Sequence, residues 1–174
     1  RAWFSKWYGR KMRRPESKSR IAPFIEEFQV DEEELAEPVE THGCFNDFFI
    51  RKLKKEARRI CEGPDEIAFP ADGRHLGFQC ISETSSIFVK GQQFDLPSLF
   101  GCQELAKQYE KGSLVISRLC PVDYHRFHFP VDGFASKPDL INGPLYSVNP
   151  IALRKNISIL WKNKRYLNFC DSPQ

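Results

Sequence analysis

Two histidines, His125 and His128, stand three residues apart among large apolar residues in the stretch from Pro121 to Gly133. This spacing puts two side chains on opposite faces of an extended strand, or on nearly the same face of a helix. The aromatic neighbours and Pro130 favour the extended form. Histidines on opposite faces cannot easily share one metal ion, but each can serve as a separate general acid or base.

An aspartate in a related motif is the natural partner for one of these histidines. Residues 69–73 (Phe-Pro-Ala-Asp-Gly) and 129–133 (Phe-Pro-Val-Asp-Gly) match at four of five positions. Asp-Gly favours a tight turn, so the repeated motif indicates equivalent turns in a duplicated β unit. A carboxylate beside a histidine fixes its tautomer and stabilises the imidazolium, which makes Asp72 the candidate. From the residue types alone, the commoner explanation is that both histidines are buried, hydrogen-bonded core residues without a catalytic role.

Composition is ordinary for one globular domain. The 174 residues are 28% charged and 41% hydrophobic, with a net charge of +3. None of the six cysteines has C-x-x-C spacing, so no zinc site is expected and the thiols are typical of a reducing compartment. No apolar run reaches the roughly 20 residues that a membrane-spanning helix needs.

The hydrophobic pattern predicts an α+β fold, with a helical N-terminal region followed by a mainly antiparallel β domain that is incomplete. Apolar residues recur at helical spacing from Trp3 to Tyr8, from Ile21 to Phe28 with Ser19 as the N-cap, and from Phe45 to Leu53. We expect a membrane-associating helical region over residues 1–60 and a β-rich catalytic domain, truncated, over residues 61–174.

Turn residues divide the second part of the chain into short segments. Helical pieces are expected at Asp95–Phe100, Glu104–Tyr109 and Asn149–Arg154. Strands are expected at Gly73–Ile81, Ile87–Lys90, Ser113–Leu119, His125–Phe129, Phe134–Lys137, Ile157–Trp161 and Tyr166–Cys170.

Charged residues are unevenly distributed, with a basic segment over residues 1–20 and an acidic one over residues 26–40. The aromatic side chains of Trp3, Phe4, Trp7 and Tyr8 share one helix face and have basic neighbours. The segment either lies on a membrane or packs on the domain with a solvated basic face. The acidic run 31–37 and the basic patch over residues 51–59 are both expected to be solvated. Nucleic acid is a weaker third option for the N-terminal segment and is not an expected partner.

The chain resembles the phosphatidylserine decarboxylase family at four motifs, which occur in the family's order. The most specific is Tyr-His-Arg-x-His-x-Pro within Asp123–Pro130. The others are Phe45–Leu53 (Phe-Asn-Asp-Phe-Phe-Ile-Arg-Lys-Leu), Phe69–Gly73 and Asn142–Asn149 (Asn-Gly-Pro-Leu-Tyr-Ser-Val-Asn). The resemblance runs from about Ile21 to the last residue.

The resemblance implies a covalent pyruvoyl cofactor, which family members make by cutting their own chain at the serine of a Gly-Ser-Thr sequence. By position, Asp72 orients His128, which activates that serine. The serine attacks the preceding carbonyl to give an ester, and elimination and hydrolysis leave the pyruvoyl ketone. The ketone forms a Schiff base with phosphatidylserine and draws electrons as CO₂ leaves, giving phosphatidylethanolamine. His125 matches the histidine that returns a proton.

One departure from the family pattern is the absence of a Gly-Ser-Thr sequence from these 174 residues. Ser113 follows Gly112, but Leu114 comes next and the pair precedes the histidines. We therefore expect an N-terminal β-chain fragment that is inactive alone and pairs with its own C-terminal α chain, which carries the pyruvoyl group. A smaller departure is Cys44, which stands where relatives often carry a capping serine.

The resemblance also implies a phospholipid substrate and therefore favours the membrane interpretation of the N-terminal segment. The apolar face with Phe45, Phe48 and Phe49 either faces lipid as well or packs in the core. It implies peripheral association with the cytoplasmic face of a bacterial-type cell membrane, while a homodimer remains open. No metal ion is expected. Two alternatives are a non-catalytic lipid-binding module of the same fold and, against the geometry, a metal hydrolase that uses His125, His128 and His75.

Overall fold

The computed structural model of the protein describes residues 2–63, 65–81 and 95–173. Helices and short strands in these ranges confirm the α+β class. The helices are α1 (Ala2–Met12), α2 (Ile21–Phe28), α3 (Phe45–Phe49), α4 (Leu96–Phe100), α5 (Gln103–Tyr109), α6 (Pro150–Lys155) and α7 (Ile159–Lys162). The strands are β1 (Arg74–Phe78), β2 (Leu114–Arg118), β3 (Phe134–Ala135), β4 (Asp139–Ile141), β5 (Arg165–Leu167) and β6 (Cys170–Asp171).

The chain forms two compact units, each built from separated stretches of sequence. The first, here called the sheet unit, comprises residues 1–2, 76–116 and 133–171. The second, here called the histidine unit, comprises residues 3–75, 117–132 and 172–174. The division into functional domains at residue 60 stays a prediction.

Strands in the described part of the chain pair as two-stranded sheets: β1 with β2, β3 with β6, and β4 with β5. The last two pairs are antiparallel, with Phe134 opposite Asp171 and Leu140 opposite Tyr166. Strand β4 was missed in the sequence because it is only three residues long. The predicted strand Ile87–Lys90 lies outside the described residues.

The predicted strand Ile157–Trp161 is wrong, because these residues lead into helix α7. The side chains of Ile159 and Trp161 are both buried. Asn156 starts the turn, since its Oδ1 accepts the backbone N–H of Ser158 at 3.0 Å. A short apolar run has no period that separates a buried strand from a buried helix.

The predicted strand His125–Phe129 forms no regular ladder, although it does pair with the sister motif. The N–H of Ala68 donates to the carbonyl of Pro130 at 3.0 Å, and that of His128 donates to the carbonyl of Pro70 at 2.7 Å. In a regular antiparallel pair each such couple exchanges two bonds. Each couple here makes only one because its proline has no N–H, so the prolines stop the ladder.

The core of the histidine unit is an aromatic cluster between α2 and α3. Phe48 is fully buried there, and the ring of Phe24 lies 5.3 Å from that of Phe45 and 6.2 Å from that of Phe49. Aromatic pairs at these separations add about 0.5–1.5 kcal/mol each beyond the area they bury. The predicted apolar face of α3 is therefore core.

Two helix boundaries differ from the sequence-based expectation. Ser19 does not cap α2, because it lies in a 3-10 helix (Pro15–Arg20) and its hydroxyl donates to the carbonyl of Glu16. Helix α3 ends at Phe49 rather than continuing to Leu53, which instead forms an antiparallel bridge with Leu35. Tertiary pairing thus overrides the helical spacing of the apolar residues.

Capping explains the short helices that the sequence did predict correctly in the sheet unit. Asp95 accepts the N–H of Ser98 at 2.9 Å at the start of α4, and Asn149 accepts that of Ile151 at 2.9 Å at the start of α6. Each cap satisfies a donor that a helix start leaves open. Helix α5 also lies where it was expected.

Phe48 offers a direct test of the aromatic core. Replacing it with alanine should lower the free energy of unfolding by about 3–5 kcal/mol, because a large buried ring leaves a cavity. Phe127→Ala is the matched control: that ring is 67% exposed, and its loss should cost less than about 1 kcal/mol. Urea unfolding monitored by circular dichroism measures both, and equal costs would contradict the assigned core.

Candidate active site

A cavity of about 590 Å³ in the histidine unit brings together two of the three predicted site residues, Asp72 and His128. Tyr124, Arg58 and His75 also line it. Asp72 comes from the turn before β1, whereas His128 comes from the segment about 60 residues later. The paired backbones of the two sister motifs, described above, are what place these side chains on one cavity.

The carboxylate of Asp72 is held through one of its two oxygens. Oδ2 accepts a hydrogen bond from Nε of Arg58 at 2.7 Å and a longer one from the N–H of Tyr124 at 3.4 Å. Within the described part of the chain, Oδ1 has no hydrogen-bond partner and Asp72 makes no bond to His128. Asp72 therefore keeps one oxygen for a further donor.

Arg58 links two carboxylates from distant parts of the chain. Its Nη1 donates to Oε1 of Glu34 at 2.9 Å, while its Nε donates to Asp72. The bond to Glu34, and then that to Asp72, raise the pKa of Arg58 although partial burial opposes the shift. The guanidinium is thus a permanent positive charge beside Asp72.

The third predicted residue, His125, has different surroundings from His128. Its Nδ1 lies 2.8 Å from the carbonyl oxygen of Asp123, and its ring centroid lies 4.1 Å from that of Phe49. A carbonyl oxygen only accepts, so the bond assigns the proton to Nδ1 and leaves Nε2 for exchange with a substrate. The alternation expected of an extended segment agrees with these separate environments.

Two arginines that the sequence analysis did not single out fasten α3 to the histidine segment. Nη2 of Arg51 donates to the carbonyl of Val122 at 2.8 Å, and Nε of Arg126 donates to the carbonyl of Ile50 at 2.8 Å. These reciprocal bonds, here called the arginine clasp, position the loop that carries Asp123, Tyr124 and both histidines.

Arg51 contradicts the expectation that the basic patch over residues 51–59 is solvated. It is only 4% exposed, and its guanidinium carbon lies 5.3 Å from the centroid of the Phe48 ring. Burial lowers its pKa, and the charge of Arg58 acts in the same direction. Helical spacing placed Arg51 on a polar face, but α3 ends at Phe49 and the chain then turns this side chain inward.

The glycines of the two sister motifs play the same local role. A Cβ on Gly73 would collide with the carbonyl of Arg118, and one on Gly133 would lie 2.5 Å from the carbonyl oxygen of Asp171. Gly73 also has a φ of +120°, which side chains disfavour. Each Asp-Gly turn therefore needs its glycine so that the backbone can start a strand against a neighbouring carbonyl.

The histidines do not form a metal site in the described residues. His75 stacks on Phe69 with ring centroids 4.1 Å apart, and its Nδ1 lies 2.9 Å from Oγ of Ser117. Across residues 2–63, 65–81 and 95–173, no group of three His, Cys, Asp or Glu side chains could hold a metal ion. The metal-hydrolase alternative therefore gains no support from the geometry.

A carboxylate and a histidine, two groups that can exchange protons, share a cavity, and a second histidine has a separate setting. A family model described as phosphatidylserine decarboxylase matches residues 45–174. The chain belongs to the phosphatidylserine decarboxylase family, and the matched range includes Asp72, His125 and His128.

Curated relatives agree with this membership. A phosphatidylserine decarboxylase proenzyme of Fusobacterium nucleatum is 50% identical over 165 residues, which cover 95% of this chain and 55% of the relative. Proenzymes of the same name from Chlamydia muridarum (46%; 98% and 57% covered) and Clostridium botulinum (43%; 93% and 55% covered) also match. The chain thus spans about half the length of the curated relatives it matches.

Gly73→Ala tests the backbone that presents Asp72. We expect it to lower the free energy of unfolding by about 1–3 kcal/mol, because the new Cβ forces a strained backbone against the carbonyl of Arg118. Gly77→Ala is the control within β1, where a Cβ meets nothing within 4 Å and the change should be within about 0.5 kcal/mol. Similar losses in the two variants, measured by urea unfolding, would refute the close approach at Gly73.

Proposed function

We propose that the protein is a phosphatidylserine decarboxylase that converts phosphatidylserine to phosphatidylethanolamine and CO₂, with a pyruvoyl group that self-cleavage makes from a serine outside these 174 residues. The observation that carries the proposal is the shared cavity of Asp72 and His128 in a chain of this family. The relatives are named proenzymes, which supports processing into two chains and thus pairing with a C-terminal α chain. A homodimer stays a prediction.

In this proposal Asp72 and His128 act as an oriented base. The open Oδ1 of Asp72 would accept an N–H from the His128 ring during cleavage, while Arg58 and Tyr124 hold the opposite oxygen. The other ring nitrogen of His128 then takes the proton of the serine hydroxyl, which makes that oxygen a competent nucleophile toward the preceding carbonyl. Loss of the carboxylate would leave the imidazolium without a counter-charge.

His125 has the second task, which belongs to the decarboxylation. The cavity that Asp72 and His128 line suits a pyruvoyl group made from that serine and supplied by the α chain, because the groups that would make it already face that space. When bound, that group supplies an electron sink for the loss of CO₂. Because Nδ1 of His125 donates to the Asp123 carbonyl, Nε2 is the nitrogen that would take up a proton from solvent, giving the imidazolium, and pass it to the carbanion that remains after CO₂ leaves.

Separate variants of the full-length protein test these two tasks. His128→Ala or Asp72→Ala should leave a single uncleaved chain, because the serine loses its base. His125→Ala should still cleave, but its decarboxylation per pyruvoyl group should fall by roughly 10²–10⁴-fold through loss of the proton donor. Gel electrophoresis gives the processing and CO₂ release gives the turnover. Normal cleavage in both of the first variants, or full activity in the third, would overturn the corresponding role.

A phospholipid substrate requires contact with a bilayer, and α1 has the side chains for it. Its aromatic residues Trp3, Phe4, Trp7 and Tyr8 are exposed, and Lys11 lies 5.5 Å from the centroid of the Trp7 ring. Trp and Tyr favour the interface of a bilayer, while basic side chains are drawn to anionic lipid heads. No helix in the described ranges has the length and apolar content needed to cross a membrane. Peripheral association with the cytoplasmic face of a bacterial-type cell membrane is part of the proposal.

Vesicle binding tests this part of the proposal. The double variant Trp3→Ala/Trp7→Ala should bind vesicles with 30% anionic lipid at least about tenfold more weakly than the parent, because it loses two interfacial anchors. Tyr166→Ala is the control, since Tyr166 is 60% exposed outside α1 and its loss should leave binding unchanged. Flotation in a sucrose gradient separates bound from free protein. Unchanged flotation of the double variant would exclude α1 as the membrane contact.

A further inference from the structure

Arg58 joins Asp72 of the candidate site to a part of the chain far outside the sister motifs. Its guanidinium contacts Asp72 at 2.7 Å with one nitrogen and Glu34 at 2.9 Å with another. An arginine fork fixes the direction of the carboxylates it binds, which a single point charge does not. No local sequence pattern distinguishes Arg58 from its basic neighbours.

Glu34, the other end of this contact, is fixed by backbone pairing rather than left on a mobile surface. The N–H of Lys54 donates to the carbonyl of Glu34 at 2.9 Å, and that of Ala36 donates to the carbonyl of Lys52 at 3.1 Å. The Leu35–Leu53 bridge lies between these bonds. The acidic and basic runs of the sequence therefore pair with each other, and they set the distance between Glu34 and Arg58.

We propose that Arg58, held by Glu34, is a positioning residue for self-cleavage: it grips Oδ2 of Asp72, so that Oδ1 remains available to the ring of His128. The inference rests on the proposed function, because it assigns Arg58 a part in the processing step. Arg58 acts through Asp72 and takes no proton itself, since its pKa is raised and it stays charged.

The same contact allows the opposite role, in which the bond to Arg58 keeps the Asp72 carboxylate from bonding to His128 and so slows cleavage. The two cases predict opposite effects of Arg58 on the rate of self-cleavage. A positioning arginine accelerates self-cleavage, whereas a withholding arginine slows it, so removal of the guanidinium distinguishes them. The single bond from Nε leaves the second carboxylate oxygen open, which favours positioning.

The test is the rate of self-cleavage of the full-length protein, followed by pulse-chase after cell-free translation. Arg58→Gln should cleave roughly 10- to 100-fold more slowly than the parent, the loss expected when a catalytic group is misplaced by about 1 Å. Arg58→Lys should lie between them, because lysine keeps the charge without the fork. Arg74→Gln removes the same charge from an exposed position close in sequence to Asp72 and should cleave at the parental rate.

A second variant removes the other carboxylate that Arg58 binds, that of Glu34. Glu34→Ala should slow cleavage in the same direction as Arg58→Gln, with a smaller effect and an unchanged unfolding midpoint. In Arg58→Gln protein that has matured, turnover per pyruvoyl group should fall far less than the cleavage rate, whereas general damage to the fold would lower both. If Arg58→Gln fails to fold, Glu34→Ala and Arg58→Lys decide the question.

The outcomes separate this inference from the function on which it rests. Parental or faster cleavage by Arg58→Gln, in an experiment where the parent itself cleaves, overturns the positioning role and leaves the proposed function intact. Parental cleavage by both Glu34→Ala and Arg58→Lys overturns it as well when Arg58→Gln does not fold. A parent that never cleaves counts against the proposed function instead.

Discussion

The candidate site depends on the arginine clasp between the end of α3 and the histidine segment. Arg51 and Arg126 each donate to a backbone carbonyl across this contact at 2.8 Å. A buried guanidinium is costly unless it is bonded, and Nε and Nη1 of Arg51 are buried without a hydrogen-bond partner in the described residues. This cost falls where the segment that carries the two histidines has no regular strand or helix to hold it in place.

The clasp also ties the chemistry to the aromatic core. Phe49 packs its ring near Phe24 on one side and lies 4.1 Å from the His125 ring on the other. The aromatic core between α2 and α3 and the histidine proposed as proton donor therefore both contact the ring of Phe49. A change in the packing of α2 or α3 has a short, contiguous route to His125.

Sequence reasoning found the side chains whose types carry chemistry and missed those that hold them in place. Asp72 stood out because of the repeated motif, and the two histidines because of their setting among aromatic residues. The period of an extended chain separated His128 from His125, and the family resemblance paired His128 with Asp72. Arg51, Arg58 and Glu34 were hidden because charged runs are usually solvated. Their contacts join residues far apart in the chain, as between Arg51 and Val122, and no local pattern encodes such pairs. The helix at Ile159–Lys162 was missed for the related reason that a short apolar run lacks a period.

The two prolines that interrupt the pairing of the sister motifs have a consequence for the order of folding. Closing a loop of about 60 residues costs roughly 4 kcal/mol of chain entropy plus a constant, while two backbone bonds return only about 1 kcal/mol each. The pairing of Ala68 with Pro130 and of Pro70 with His128 cannot nucleate the fold by itself. We expect these residues to dock after the aromatic core has formed, with φ-values near zero at the pairing and high at Phe48. Self-cleavage would then wait for the last long-range contact of the histidine unit.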